Sequence, residues 1–350
     1  AAAEVAPRVE DAAQRARAAR LAVLGTPSSG APEPGEPKTS LTELARGFLS
    51  LTDDLAAEAI SRAAATSGLD HPERWEDLAA VLSFPDLQGR FGQRDRARRI
   101  AAPFAGLGFA RELGGVKLEP AHPSVGVRAR LAVLDPTRDV RVSPAFREQG
   151  LASELAILEG VGRGLAQLLL PAALPFAQAL PVVDEGARTF AALLMQLPCD
   201  PRFLGSGRTL SKELPSIAAA GVSLQLTALR VAAASLIAGE DRSRDVIEGL
   251  CSRALGVPVP MPLARLALLG DVSPRSRFRA GLHALLFWTL LRDAHDEDWF
   301  RNPRSAETLR AMLALSTTPS GIQLPGIWER QLSLDDLPLV VGRVRELLEP

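Results

Sequence analysis

A chain of 350 residues, 47% of them hydrophobic, is long enough to bury a sizeable core as one large or two ordinary domains. Its 40 Lys and Arg nearly cancel its 41 Asp and Glu, so neither the basic excess of a nucleic-acid binder nor an acidic tail is present. The cations are almost all Arg (Lys38, Lys117 and Lys212 are the exceptions) and Ala and Leu abound, which reads as a GC-rich bacterial genome and not as a functional signal.

In chain order, residues 1–24 read as an amphipathic helical arm, because Ala3 to Leu24 space apolar residues at helical intervals among Ala, Arg and Glu. Residues 25–40 (GTPSSGAPEPGEPKTS) form a Pro/Gly/Ser-rich linker with no apolar face. The domain proper spans 41–350. Thr39 or Ser40 caps a helix through LTELARGFLSL, and Thr52 caps a second that stops at Gly68. HPERW, from His71, opens another helix to about Leu82. The RDRARR run ending at Arg99 reads as a solvated helix face, and Ile100 to Phe109 as a short helix. From Gly114 the texture changes: VKLEP, VGVRARLAVLD and DVRVSP predict two or three short strands, antiparallel by their short connections, over 114–143. Helices then follow at about 150–170, 182–197, 210–238, 243–254, 261–269, 275–294, 303–315 and 335–348. The expected fold is mainly α-helical with one small antiparallel β element.

Cys199 and Cys251 are expected to be buried, reduced thiols, with a single disulfide as the alternative. The longest apolar runs are broken by Pro or a charge before the ~20 residues a membrane span needs, so a cytoplasmic protein is expected, with no membrane and no nucleic acid among its partners.

The central stretch, residues 152–204, reads as two apolar helices joined by a Pro-rich connection. The first carries Glu159-Gly160-Val161-Gly162-Arg163 and the second Asp184-Glu185-Gly186. A strand DVRVSP precedes them; CDPRFL, then SRFRAGLHALLFWTLL and DEDWFRNP follow. This collinear order resembles the catalytic segment of the thimet oligopeptidase and oligoendopeptidase F family of zinc peptidases. In that family the first helix carries His-Glu-x-x-His, whose two His bind zinc while the Glu activates water, and a Glu on the next helix completes the metal site. The resemblance places Glu159 at the first His, Gly160 at the catalytic Glu, Arg163 at the second His and Glu185 at the third ligand. A Tyr that assists the reacting carbonyl would fall at or beside Gly281. A guanidinium has no lone pair to offer a cation and Gly has no base, so three of the four positions have lost their chemistry. Catalytic residues are therefore expected to be none, and zinc to be absent. Arg163, Glu185 and His283 are the candidate groove residues, with the Arg163 guanidinium expected to replace the metal between Glu159 and Glu185.

Other readings of the same residues differ. Gly160 to Gly164 (GVGRG) resembles a dinucleotide-binding turn, but Leu165 stands where its final Gly or Ala belongs, and close helix packing explains the glycines as well. The four histidines, His71, His122, His283 and His295, show no ligand spacing with one another or with Cys. DEDWF reads as a surface turn anchored by Trp299 and Phe300. The implied function is a catalytically inactive, metallopeptidase-like protein binding a peptide or protein partner. The alternatives are an active metallopeptidase with a rearranged site and a structural or regulatory subunit that pairs with an intact peptidase.

Overall fold

The computed structural model describes residues 40–66, 68–91, 96–119, 130–135, 138–143, 150–170, 185–205, 214–269, 273–315 and 332–349. The N-terminal arm and nearly all of the linker lie outside them. The fold is mainly helical with one small three-stranded sheet.

Helix α1 (Leu41–Thr66) begins in a capping box: the Glu43 amide donates to Ser40 Oγ at 3.1 Å, and the Ser40 amide donates to a Glu43 carboxylate oxygen at 2.7 Å. One uninterrupted helix stands where two were expected. Thr52 does not cap. It is buried in mid-helix, and its hydroxyl donates to the Phe48 carbonyl at 2.7 Å. Gly68 stops the chain's helical course at φ 64°, a left-handed conformation that Gly adopts without a Cβ clash. After α2 (Trp75–Leu82) and a 3-10 turn, α3 (Arg96–Gly106) and α4 (Ala110–Leu113) lead into the sheet.

Strands β1 (Val116–Leu118), β2 (Arg130–Asp135) and β3 (Asp139–Ser143) are ordered β1-β3-β2. β2 and β3 are antiparallel, with Leu131 opposite Val142. β1 runs parallel to β3, with Val116 opposite Val140, so the all-antiparallel expectation is corrected. The β1–β2 connection is longer than a hairpin loop, which frees β1 to pair with β3 instead of its sequence neighbour. Alternation on β3 buries Val140 and Val142 completely, facing the next helix.

That helix is α5 (Leu151–Leu168), packed on α6 (Glu185–Met195). Glycines make the approach possible. A Cβ on Gly162 would lie 2.9 Å from Ala191 Cα, and one on Gly164 would lie 3.0 Å from Val140 Cγ1. GVGRG therefore lies inside a helix, and the dinucleotide-turn reading is excluded: what the glycines serve is packing against α6 and the sheet. The short α7 (Pro201–Gly205) leads to α8 (Leu214–Ala238), then α9 (Arg244–Leu255), α10 (Met261–Leu269), α11 (Pro274–His295), α12 (Pro303–Leu315) and α13 (Leu337–Leu348).

α8 is apolar nearly all round because it is buried nearly all round, packing on α1, α9 and α11. Among the described helices it alone is long and apolar enough to cross a membrane, and 67% of its most apolar window is covered by protein. It also carries a buried cation. Arg230 donates to the Leu49 carbonyl (3.1 Å), Thr52 Oγ1 (2.7 Å), Asp53 (2.8 Å) and the Arg253 and Ala254 carbonyls at the end of α9 (2.6 and 3.2 Å). α11 joins the two halves of the core: Phe278, Leu282 and Leu285 pack with α1, α8 and α13, while Phe287, Trp288 and Leu291 pack with α5, α6 and the Trp299–Phe300 turn.

Of the RDRARR run, Ala97 and Arg98 are exposed as expected, but Arg96 and Arg99 turn inward. Arg99 donates two hydrogen bonds to the carboxylate of Glu154 on α5 (3.0 and 3.3 Å), and Arg96 lies 3.8 Å from it. Glu154 is buried, and a buried carboxylate needs cations beside it. DEDWF is the expected surface turn: Asp296, Glu297 and Asp298 are exposed while Trp299 is fully buried, its ring edge-on to Trp288 at 5.0 Å.

Candidate functional site

Five helices leave a cavity of about 250 Å³ between them. α5 presents Ala152, Leu155, Ala156 and Glu159, spaced i, i+3, i+4, i+7 and hence on one face. α6 contributes Arg188, Ala192 and Met195, and the turn after it Gln196 and Cys199. α8 brings Val222, Gln225, Leu226 and Leu229; α11 brings Arg277, Ala280, Gly281 and Leu285; α13 closes one side with Val344 and Leu347. Ala152 and Ala228 are exposed and mark the open edge. The wall is largely apolar, with polar groups at a few points, as in small-molecule sites generally.

Glu159 is half-buried, and among the described residues it has neither a hydrogen bond nor an ion pair. Arg188 and Arg277 both hold contacts of their own. Gln225 is committed to the wall, its amide donating to the Met195 carbonyl and to Cys199 Sγ (2.8 Å). Cys199 is fully buried. Desolvation dominates its titration and pushes the thiol far above its ordinary value, against the opposing pull of Arg343. A thiol held protonated is a poor nucleophile, so Cys199 is packing. Cys251 is likewise buried and free, pushed up to about 12 by burial.

The sequence-predicted residues divide. Glu159 and Gly281, two of the positions picked out by the sequence resemblance, both line the cavity wall. A Cβ on Gly281 would lie 2.6 Å from Leu229 Cδ1, so a side chain there would have to displace that leucine. Gly160 is buried within α5. Arg163 sits one turn beyond Glu159 and is not part of the wall, and no ion pair joins the two. The expected Glu159–Arg163 bridge is corrected accordingly: an i,i+4 pair is worth only ~0.3–0.5 kcal/mol, too little to override how each side chain packs. The Glu185 side chain lies outside the described residues. His283 is only 4% exposed, but it is about 200° around α11 from Gly281 and does not face the cavity. Burial, assisted by the Arg279 charge, pushes His283 down to about 3, so it is neutral at pH 7. His71 pairs with Ser61 (3.1 Å) and His295 with Thr308 (3.0 Å); His122 lies outside the described residues. No cluster of three or more His, Cys, Asp or Glu able to hold a metal ion occurs among the described residues.

Sequence reasoning did not find Arg188, Gln196, Gln225 or Arg277. The only available signal was a polar residue in or next to a helix, and Arg230, which is structural, sends the same signal.

No protein-family model matches the chain, and no curated protein does. Its structure is similar to a solved structure described as "The Structure of CHT", with a TM-score of 0.48 and 14% sequence identity, over 98% of this chain and 78% of that one.

Proposed function

We propose that this protein is a non-catalytic relative of the thimet oligopeptidase and oligoendopeptidase F peptidases that binds a peptide or a protein partner's chain in the cavity between α5, α6, α8, α11 and α13. The observation that carries the reading is the meeting of Glu159 and Gly281 on one apolar cavity: two positions to which the resemblance assigns a ligating His and a Tyr line the same space, and they hold a lone carboxylate and a Gly. Gly160 offers no general base and Arg163 no lone pair for a cation, so this helix lacks two of the three groups of a zinc-hydrolysing His-Glu-x-x-His helix. An apolar cavity with an open edge and a few polar groups suits an apolar side chain that carries polar backbone with it.

Metal analysis of the full purified chain, combined with titration of short apolar peptides, tests this. The expected result is substoichiometric zinc, no chelator-sensitive cleavage and saturable peptide binding. Stoichiometric zinc with chelator-sensitive cleavage would establish an active peptidase instead.

A further inference from the structure

We infer that the cavity recognises the free amino terminus of an apolar peptide, with the peptide's α-ammonium seated on the Glu159 carboxylate and its first one or two side chains in the apolar space; this rests on the peptide-binding reading above. Glu159 is the one acidic residue among the described wall residues, and among the described residues it has neither a hydrogen-bond nor an ion-pair partner. The Glu159 carboxylate, on one helix face with Leu155 and Ala156 in a largely apolar cavity, gains from an incoming cation that donates hydrogen bonds. The wall's own cations do not fill this role, because Arg188 and Arg277 hold contacts elsewhere and neither pairs with Glu159.

Size and shape narrow the ligand further. At about 250 Å³ the cavity is small beside the ~300–1,000 Å³ of sites for drug-sized ligands, which suits the apolar end of a chain. Glu159 lies on the same face of α5 as Ala152, seven residues away, or ~10 Å along the helix. A peptide whose ammonium rests on Glu159 therefore has an apolar path along α5 to the exposed edge at Ala152 and Ala228, where the rest of the chain leaves. An N-terminal residue with a Leu-sized side chain fits this arrangement, whereas a charged one would leave its charge among leucines.

Calorimetric titration of the full chain with the tripeptide Leu-Leu-Ala, amidated at its carboxyl end, tests the assignment against the N-acetylated form of the same peptide. The free-amine peptide is expected to bind at least about tenfold more tightly, the worth of one charge-assisted hydrogen bond. Glu159→Gln is expected to reduce the free-amine peptide to the acetylated level without changing the acetylated one, and an unchanged far-UV spectrum and unfolding midpoint would show that the variant is folded. Equal binding of both peptides, or indifference to Glu159→Gln, overturns the amine assignment and leaves the peptide-binding reading standing. Preferential binding of N-acetylated Leu-Leu-Ala with a free carboxylate also overturns it, assigning recognition to the arginines. Failure of all three peptides to bind overturns the peptide-binding reading as well.

Discussion

Replacing Arg230 by Met removes the cation from the interior while keeping an apolar stem of similar reach. The guanidinium is 1% exposed and donates five hydrogen bonds, four to neutral oxygens on α1 and at the end of α9 and one to Asp53. Charged hydrogen bonds are worth ~1.5–3 kcal/mol each, but a straight sum overcounts, because the variant no longer desolvates a guanidinium. Breaking a buried ion pair from one side costs about 3–5 kcal/mol. Asp53 stays partly exposed and keeps Arg253 at 2.7 Å, so its orphaning adds little. The expected loss is thus about 3–5 kcal/mol, carried mainly by the backbone carbonyls of Leu49, Arg253 and Ala254, which lose their donor. Urea unfolding followed by far-UV circular dichroism measures the total, and amide exchange locates it: the last turn of α9 should lose protection first. A loss under about 1 kcal/mol, or unchanged exchange in α9, would refute the view that Arg230 ties α8 to α1 and α9.

His283 makes stability depend on pH. Its folded value is depressed to about 3 from an unfolded value near 6.5, so its contribution is fully present above pH 6.5 and is lost as the pH falls towards 3. At pH 5.5 the wild type should be about 1.4 kcal/mol less stable than at pH 7.5 on this account, and His283→Leu should flatten that slope in unfolding titrations at the two pH values. Asp53 acts at lower pH: burial, the largest single influence, raises its carboxyl, but hydrogen bonds from Arg253 and Arg230 outweigh it and hold the group below its ordinary value, so its contribution is lost only as the pH falls below about 4. Gly162→Ala should destabilise by about 1–3 kcal/mol, because the new Cβ meets the Ala191 backbone, whereas Gly249→Ala on the exposed face of α9 should stabilise by about 0.5–1 kcal/mol; thermal melts of the two variants should move in opposite directions. Glu154→Leu should cost about 3 kcal/mol by leaving Arg96 and Arg99 beside an apolar wall, and chemical denaturation checks it.

Local patterns in the sequence determined where most of the helices lie. Capping and breaking residues act over three or four positions, so a cap at Thr39 or Ser40, the stop at Gly68 and the helices expected at 261–269, 303–315 and 335–348 were legible without a fold. The same holds for the turn anchored by Trp299 and Phe300, whose aromatic pair between charged residues admits one sensible arrangement. Thr52 misled because a hydroxyl caps a helix start or bonds back to a carbonyl in mid-helix with equal local chemistry, and only the burial of α1 against α8 selected the second. The parallel β1–β3 pairing, the inward turn of Arg96 and Arg99 to Glu154, and the harness around Arg230 all join residues tens to hundreds of positions apart, and no periodicity encodes such partners. The site follows the same division. That Gly160 offers no base and Arg163 no lone pair for a cation can be read from residue types alone. That Glu159 and Gly281 share a cavity, while Arg163 and His283 stand off it, was decided by how α5 and α11 rotate about their axes when five helices pack, and the volume left between those helices exists only in the assembled fold.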